Sequence, residues 1–169
     1  MPQSLVKIIV HIVFSTKDRR DLITPEIELR LFAYIRGIIE NNGGRMLIAG
    51  GMPNHIHILS SVGRIDIGDL VGDIKRDSSL WIKKQGPEFS QFFWQRGYGA
   101  FSIGQSQVNA VTRYILDQKE HHKKQSWEDE FRGLCRKFGV EFDERFCWVC
   151  CSSLSSFFPC RQRRPTYKA

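Results

Sequence analysis

The chain has 169 residues, 41% hydrophobic and 25% charged. This suits one compact domain with its own core and excludes a fibre, a disordered tail or two full domains. Basic residues outnumber acidic ones 25 to 18, a net charge of +7 with a pI near 9.3, which favours a polyanionic partner such as nucleic acid. No apolar run approaches the roughly 18–20 residues of a membrane helix, and the N-terminus lacks a signal-peptide layout, so a cytoplasmic protein with no membrane attachment is expected.

Leu5 to Ser15 is β-branched and apolar on both faces and reads as a central strand. Thr24-Pro25 opens a helix, with Thr as N-cap and Glu26 and Glu28 in the first turn. Ile27, Leu31, Tyr34, Ile35 and Ile38 follow at helical spacing, and Asn41-Asn42-Gly43-Gly44 stops the run. Arg45 to Gly50 predicts a short strand, Gly51 to Asn54 a turn, and His55 to Val62 the next strand. A second helix is expected over Asp66–Lys84, with Ile67, Leu70, Val71, Ile74, Trp81 and Ile82 on its buried side. A fourth strand follows over Gly97–Ile103, which Phe92-Phe93-Trp94 extends. A third helix runs from Ser106 or Gln107 to His122, its core side carried by Val108, Val111, Ile115 and Leu116. A short fourth helix spans Trp127–Phe138. The order β-α-β-β-α-β followed by helices is the ferredoxin-like split βαβ arrangement, an α+β fold with an antiparallel sheet.

All five cysteines (Cys135, Cys147, Cys150, Cys151, Cys160) lie from residue 135 onward, so the core does not rest on disulfides. Cys147-x-x-Cys150 lacks the second CxxC of a zinc ribbon, and reduced cysteines are the simpler reading. Periodicity fades after residue 148. The expectation is a domain over 1–148 and a poorly ordered, basic, cysteine-containing tail over 149–169.

Chemistry concentrates in a few positions. His55 and His57 alternate with Ile56 on a strand, so both imidazoles leave the same face, their Cα atoms about 7 Å apart. They either converge on a metal ion or stand as two solvated histidines. Tyr114 and Gln118 are four apart on the third helix, hence neighbours on one face. A tyrosine hydroxyl can be a covalent nucleophile, and glutamine offers an oxygen to a hard cation; the alternative is an ordinary surface pair. His11 shares its strand face with Lys7, Ile9 and Val13 and reads as a packed strand histidine with a line toward His55 and His57. His121 and His122 suit the negative end of a helix dipole.

Other His-x-His chemistries fail on the letters. A histidine-triad hydrolase wants a third histidine where Leu59 stands. A two-histidine phosphoesterase wants a second His-x-Ser/Thr. A two-metal nuclease wants carboxylates near the pair, whereas the nearest, Asp66 and Asp69, lie outside the strand.

His55-Ile56-His57 on a central strand, followed by a helix carrying Tyr114-Ile115-Leu116-Asp117-Gln118, resembles the single-tyrosine HUH transposases. That family includes the insertion-sequence-200/605-like and REP-associated tyrosine transposases. Residues 11–17 (HIVFSTK), 50–57 (GGMPNHIH), 94–102 (WQRGYGAFS) and 117–122 (DQKEHH) look familial as well, and the resemblance spans about residues 5–148. It implies an HUH-type nuclease fold and a single-strand DNA transposase. Tyr114 would form a 5′-phosphotyrosine link and free a 3′-OH. His55, His57 and Gln118 would hold Mg²⁺ or Mn²⁺ to polarise the scissile phosphate. The implied partners are single-stranded DNA bearing a hairpin and a second copy of the chain in a homodimer.

Further phosphate contacts are expected from Arg96 and Arg113, beside the motifs, and from Lys17, Lys75 and Arg76, with Trp94, Tyr98 and Phe101 as candidate stacking platforms. The competing reading is a non-catalytic single-strand nucleic-acid binding module on the same sheet.

Overall fold

The computed structural model describes residues 5–142; the expected tail over 149–169 and four of the five cysteines lie outside them. Four strands form one antiparallel sheet: β1 (Ile8–Ser15), β2 (Arg45–Met52), β3 (His55–Val62) and β4 (Gly99–Ser102), in the order β2-β3-β1-β4. This is the ferredoxin-like order. Helices α1 (Pro25–Asn41) and α2 (Ile67–Lys83) cover one face. Helices α3 (Val108–Leu116) and α5 (Trp127–Lys137) cover the other, with the single-turn α4 (Gln118–His121) between them.

Alternation along the two central strands divides the core. Val10, Ile12, Phe14, Ile56, Ile58 and Val62 pack under α1 and α2 against Leu31, Ile35, Leu70 and Ile74. Full burial of each such side chain stabilises the fold by roughly 1.5–3 kcal/mol. The opposite face carries Ile9, His11, Val13, His55, His57 and Leu59. Ile9 and Leu59 meet Val111 and Ile115 of α3, and Val13 meets Trp127 and Leu134 of α5. The polar residues of this face therefore sit in a layer roofed by helices, and both histidines of β3 are wholly buried.

The structure departs from the sequence expectations in four places. Pairing in β1 starts at Ile8 because β3 ends opposite it at Val62, leaving Leu5 and Val6 exposed. β2 runs on to Met52, so Pro53 and Asn54 alone make the turn. The edge strand is interrupted: Trp94 bridges Thr16 and Gln95 N–H donates to Ser15, but Arg96–Tyr98 leave the ladder before β4 resumes at Gly99. The third helix opens at Asp117 (φ −88°, ψ 13°), a residue type of weak helix propensity, which separates α3 from α4. Leu116 is 62% exposed and takes no part in the core.

Lys75 explains how the interrupted edge holds its shape. Its ammonium donates to the carbonyls of Gln95 (2.8 Å), Arg96 (3.2 Å) and Gly97 (2.6 Å), and burial pulls its pKa down to about 7. Lys75→Met should therefore cost about 2 kcal/mol, since three loop carbonyls lose a charged donor. Urea unfolding measures this, and an unchanged midpoint would refute the clamp.

Candidate active site

The strand register builds the site. β1 pairs with β3 so that Val13 faces His57 and His11 faces Leu59, which puts His11 diagonally beside His57. His11 Nε2 and His57 Nδ1 are 2.9 Å apart and the rings stack at 5.1 Å. The packed strand histidine is thus also a partner of the pair. On the other side, His55 Nδ1 lies 2.7 Å from Asn54 Oδ1. That acceptor requires a proton on Nδ1 and leaves Nε2 with a lone pair.

Helix α3 brings Tyr114 and the following turn brings Gln118 over this pair. Gln118 is buried, its Oε1 3.4 Å from His55 Nε2. The Tyr114 ring stands edge-on to both His11 and His57, with centroids 6.2 and 5.9 Å away. The close approach depends on Gly50 of β2, where a Cβ would stand 2.6 Å from the Ile115 carbonyl oxygen. All four motif residues are brought together within one chain.

A fifth residue joins them that the sequence did not single out. Glu130 is 4% exposed on α5. Its Oε1 accepts from the Tyr114 hydroxyl and from Gln118 Nε2 at 2.8 Å. Its Oε2 lies 2.9 Å from His122 Nε2, 3.5 Å from His57 Nε2 and 3.6 Å from His55 Nε2. The available signal was an acid on the apolar stripe Trp127–Glu130–Leu134. His122 is also drawn inward, its side chain 8% exposed, so it belongs to the site as well as to a helix end. Trp127 closes the top, its ring 4.4 Å from that of His55. A cleft of about 430 Å³ opens on His11, Tyr114, Glu130 and Lys137.

The electrostatics follow from burial. Desolvation, helped by the nearby His57, lowers His11 and His55 to about 3, so both are neutral at physiological pH. Burial and then the Glu130 carboxylate raise the Tyr114 phenol above its usual range. Burial alone would raise Glu130, but His57 and the hydrogen bonds from Tyr114 and Gln118 hold its carboxyl well below the usual carboxylate range.

Because the two histidines have folded pKa values below their ordinary 6.5, the unfolded chain binds more protons than the folded one between about pH 6.5 and 3. Stability is undiminished above that window and falls as pH drops through it. At pH 5 the metal-free protein should lose up to about 2 kcal/mol per histidine. Urea midpoints at pH 7.5, 6 and 5 test this; a flat profile would contradict it.

The residues fit a divalent cation. His57 Nε2 is buried with no hydrogen-bond partner among the described residues, and two imidazole nitrogens with a glutamine oxygen are ordinary ligands for such an ion. His55, His122 and Glu130 each also present a ligand atom within 4.8 Å of the others.

The expected phosphate contacts are more scattered. Arg113 is exposed on α3 beside Tyr114, and Arg96 is exposed in the loop that Lys75 holds. Lys17 is exposed in a 3₁₀ turn (Lys17–Arg19) after β1. Lys75 and Arg76 ride on α2, on the sheet face opposite the histidines. Lys75 is engaged by backbone carbonyls, and Arg76 pairs with Asp73 and Asp77 at 2.9 and 2.8 Å.

A ferredoxin-like sheet with paired histidines on a central strand, facing a helix that carries Tyr114 and the following turn that carries Gln118, is the HUH endonuclease type of α+β fold. The family model for IS200-like transposases matches residues 4–118, and the chain belongs to that family. It is 29% identical over 119 residues to the transposases for insertion sequence element IS200 of Salmonella typhimurium and Salmonella typhi, covering 67% of this chain and 78% of each relative. In fold it is similar to a REP-associated tyrosine transposase solved bound to a REP hairpin. That match has a TM-score of 0.55 at 13% identity, over 94% of this chain and 98% of the other. Among the described residues no helix is long and apolar enough to cross a membrane.

Proposed function

We propose that this transposase cleaves and rejoins single-stranded DNA through a 5′-phosphotyrosine intermediate on Tyr114. The observation that carries the reading is the convergence of Tyr114, Gln118, His55 and His57 on one buried cluster. Tyr114 Oη attacks the scissile phosphorus, the bond to the 3′-oxygen breaks, and the 3′-OH departs with a proton. Attack by a 3′-OH on the phosphotyrosine reverses the step. No water nucleophile or nucleotide cofactor is required, because the covalent link conserves the phosphodiester for rejoining.

His55, His57 and Gln118 would hold Mg²⁺ or Mn²⁺. The bound ion supplies charge neutralisation at the phosphate and at the departing oxygen. The chain's own groups do the positioning. Glu130 Oε1 fixes the Tyr114 hydroxyl hydrogen, while Asn54 and His11 fix the imidazole orientations of His55 and His57. Arg113 and Arg96 are the cations we assign to flanking phosphates, with Lys17 at the periphery; Lys75 acts through the loop that carries Arg96. The substrate is read as a hairpin-bearing single strand, handled in the cytoplasm. A homodimer remains the expected assembly, although Tyr114 reaches the histidines of its own chain.

The test uses hairpin-bearing single-stranded oligonucleotides from the flanks of the gene, with Mg²⁺ or Mn²⁺. A covalent adduct on a denaturing gel, mapped by mass spectrometry to the Tyr114 peptide and lost with EDTA, is the expected result. Binding that is indifferent to EDTA, with no adduct, would favour a non-catalytic binding module instead.

A further inference from the structure

We propose that Glu130 is a ligand of the divalent cation, supplying through Oε2 an anionic donor that the His-x-His and Tyr-x-x-x-Gln motifs do not contain. This rests on the reading of His55, His57 and Gln118 as metal ligands and extends it to a residue of α5.

The argument is one of mismatched polarity. His55 has its Nδ1 proton directed at Asn54 Oδ1, so its Nε2 presents a lone pair. That lone pair faces two more acceptors: Gln118 Oε1 at 3.4 Å and Glu130 Oε2 at 3.6 Å. His57 Nε2 lies 3.5 Å from the same Glu130 Oε2 and has no hydrogen-bond partner among the described residues. Acceptors turned on one another inside a buried layer repel unless a proton or cation lies between them. Their spacing suits a cation, since neighbouring ligands of a six-coordinate ion stand about 3 Å apart and those of a tetrahedral one slightly further.

The carboxylate is also oriented as metal-bound carboxylates are. His122 Nε2 at 2.9 Å holds Oε2, and Tyr114 and Gln118 hold Oε1. The two oxygens thus divide the work: Oε2 toward the cation, Oε1 toward the nucleophile and Gln118. We assign His122 to orienting Glu130, because its contact with Oε2 is a hydrogen bond. With two imidazoles in the set, transition ions such as Mn²⁺ should bind more tightly than Mg²⁺.

The experiment titrates Mn²⁺ into the metal-free full chain, without DNA, and follows the free-ion signal by electron paramagnetic resonance. Glu130→Gln keeps the shape and removes the charge. It should weaken Mn²⁺ binding at least tenfold, the order seen for groups that support a metal site. Unchanged or tighter binding overturns the proposal; tighter binding would mean that the carboxylate competes for the cation's place. His55→Ala separates the two readings. If it leaves Mn²⁺ binding intact, the histidine site itself is wrong. If it abolishes binding while Glu130→Gln does not, only the present inference fails. Should Glu130→Gln not fold by circular dichroism, the wild type decides through infrared difference spectra on adding Mn²⁺. A shifted carboxylate stretch that Glu130→Asp displaces supports ligation, and its absence overturns it.

Discussion

Tyr114→Phe should abolish covalent attachment to DNA while leaving the fold and the binding of DNA in place. Loss of a nucleophile removes the step itself, so the expected fall is several orders of magnitude, to no detectable adduct. The structural cost is small. Glu130 Oε1 loses the hydroxyl but keeps Gln118 Nε2 at 2.8 Å, and the carboxylate keeps His122. It is therefore not left buried without partners, and the loss is that of one hydrogen bond, about 1 kcal/mol. The edge-on ring contacts with His11 and His57 survive, because phenylalanine presents the same ring. A denaturing gel and a gel shift run side by side test both halves. Adduct formation by the variant would move the nucleophile elsewhere, and loss of both adduct and fold would make Tyr114 a core residue first.

Gly50→Ala carries the second large effect, and it acts at a distance from the chemistry. A Cβ at this position of β2 meets the Ile115 carbonyl oxygen at 2.6 Å and Ile115 Cγ2 at 3.0 Å. The first is backbone, so it cannot swing aside, and relief requires α3 to lift from the sheet. Ile115 is adjacent to Tyr114, so the nucleophile moves with the helix. Overpacking of this kind costs about 1–3 kcal/mol, and a shift near 1 Å in a reacting group lowers the rate by about a hundredfold. Gly37→Ala in α1 provides the contrast. Nothing lies within 4 Å of its Cβ, so it should stabilise the protein by about 0.5–1 kcal/mol and leave adduct formation unchanged. Equal rates for the two variants would show that α3 has slack over β2.

The periodicity of the chain carried element type and much of the site. A period of two obliges His55 and His57 to share a face once β3 is a strand, and a period near four makes Tyr114 and Gln118 neighbours once their segment is helical. The apolar stripes of α1 and α2 likewise located the core beneath them. Each inference concerns angles about an element's own axis, which local backbone geometry sets.

What the sequence left open depends on distances between elements. His11 becomes the partner of His57 only through the β1–β3 register. Lys75 reads as a helix-surface cation and proves to be the clamp on the loop around Arg96, because three carbonyls displaced from the sheet edge fall within its reach. Glu130 is the clearest case. On its own helix it is an acid breaking an apolar stripe. Only the docking of α5 onto β1 and β3 gives it Tyr114, Gln118, His122 and the two imidazoles as neighbours. A buried charge is tolerated where packing supplies its partners, and packing is settled by the tertiary structure.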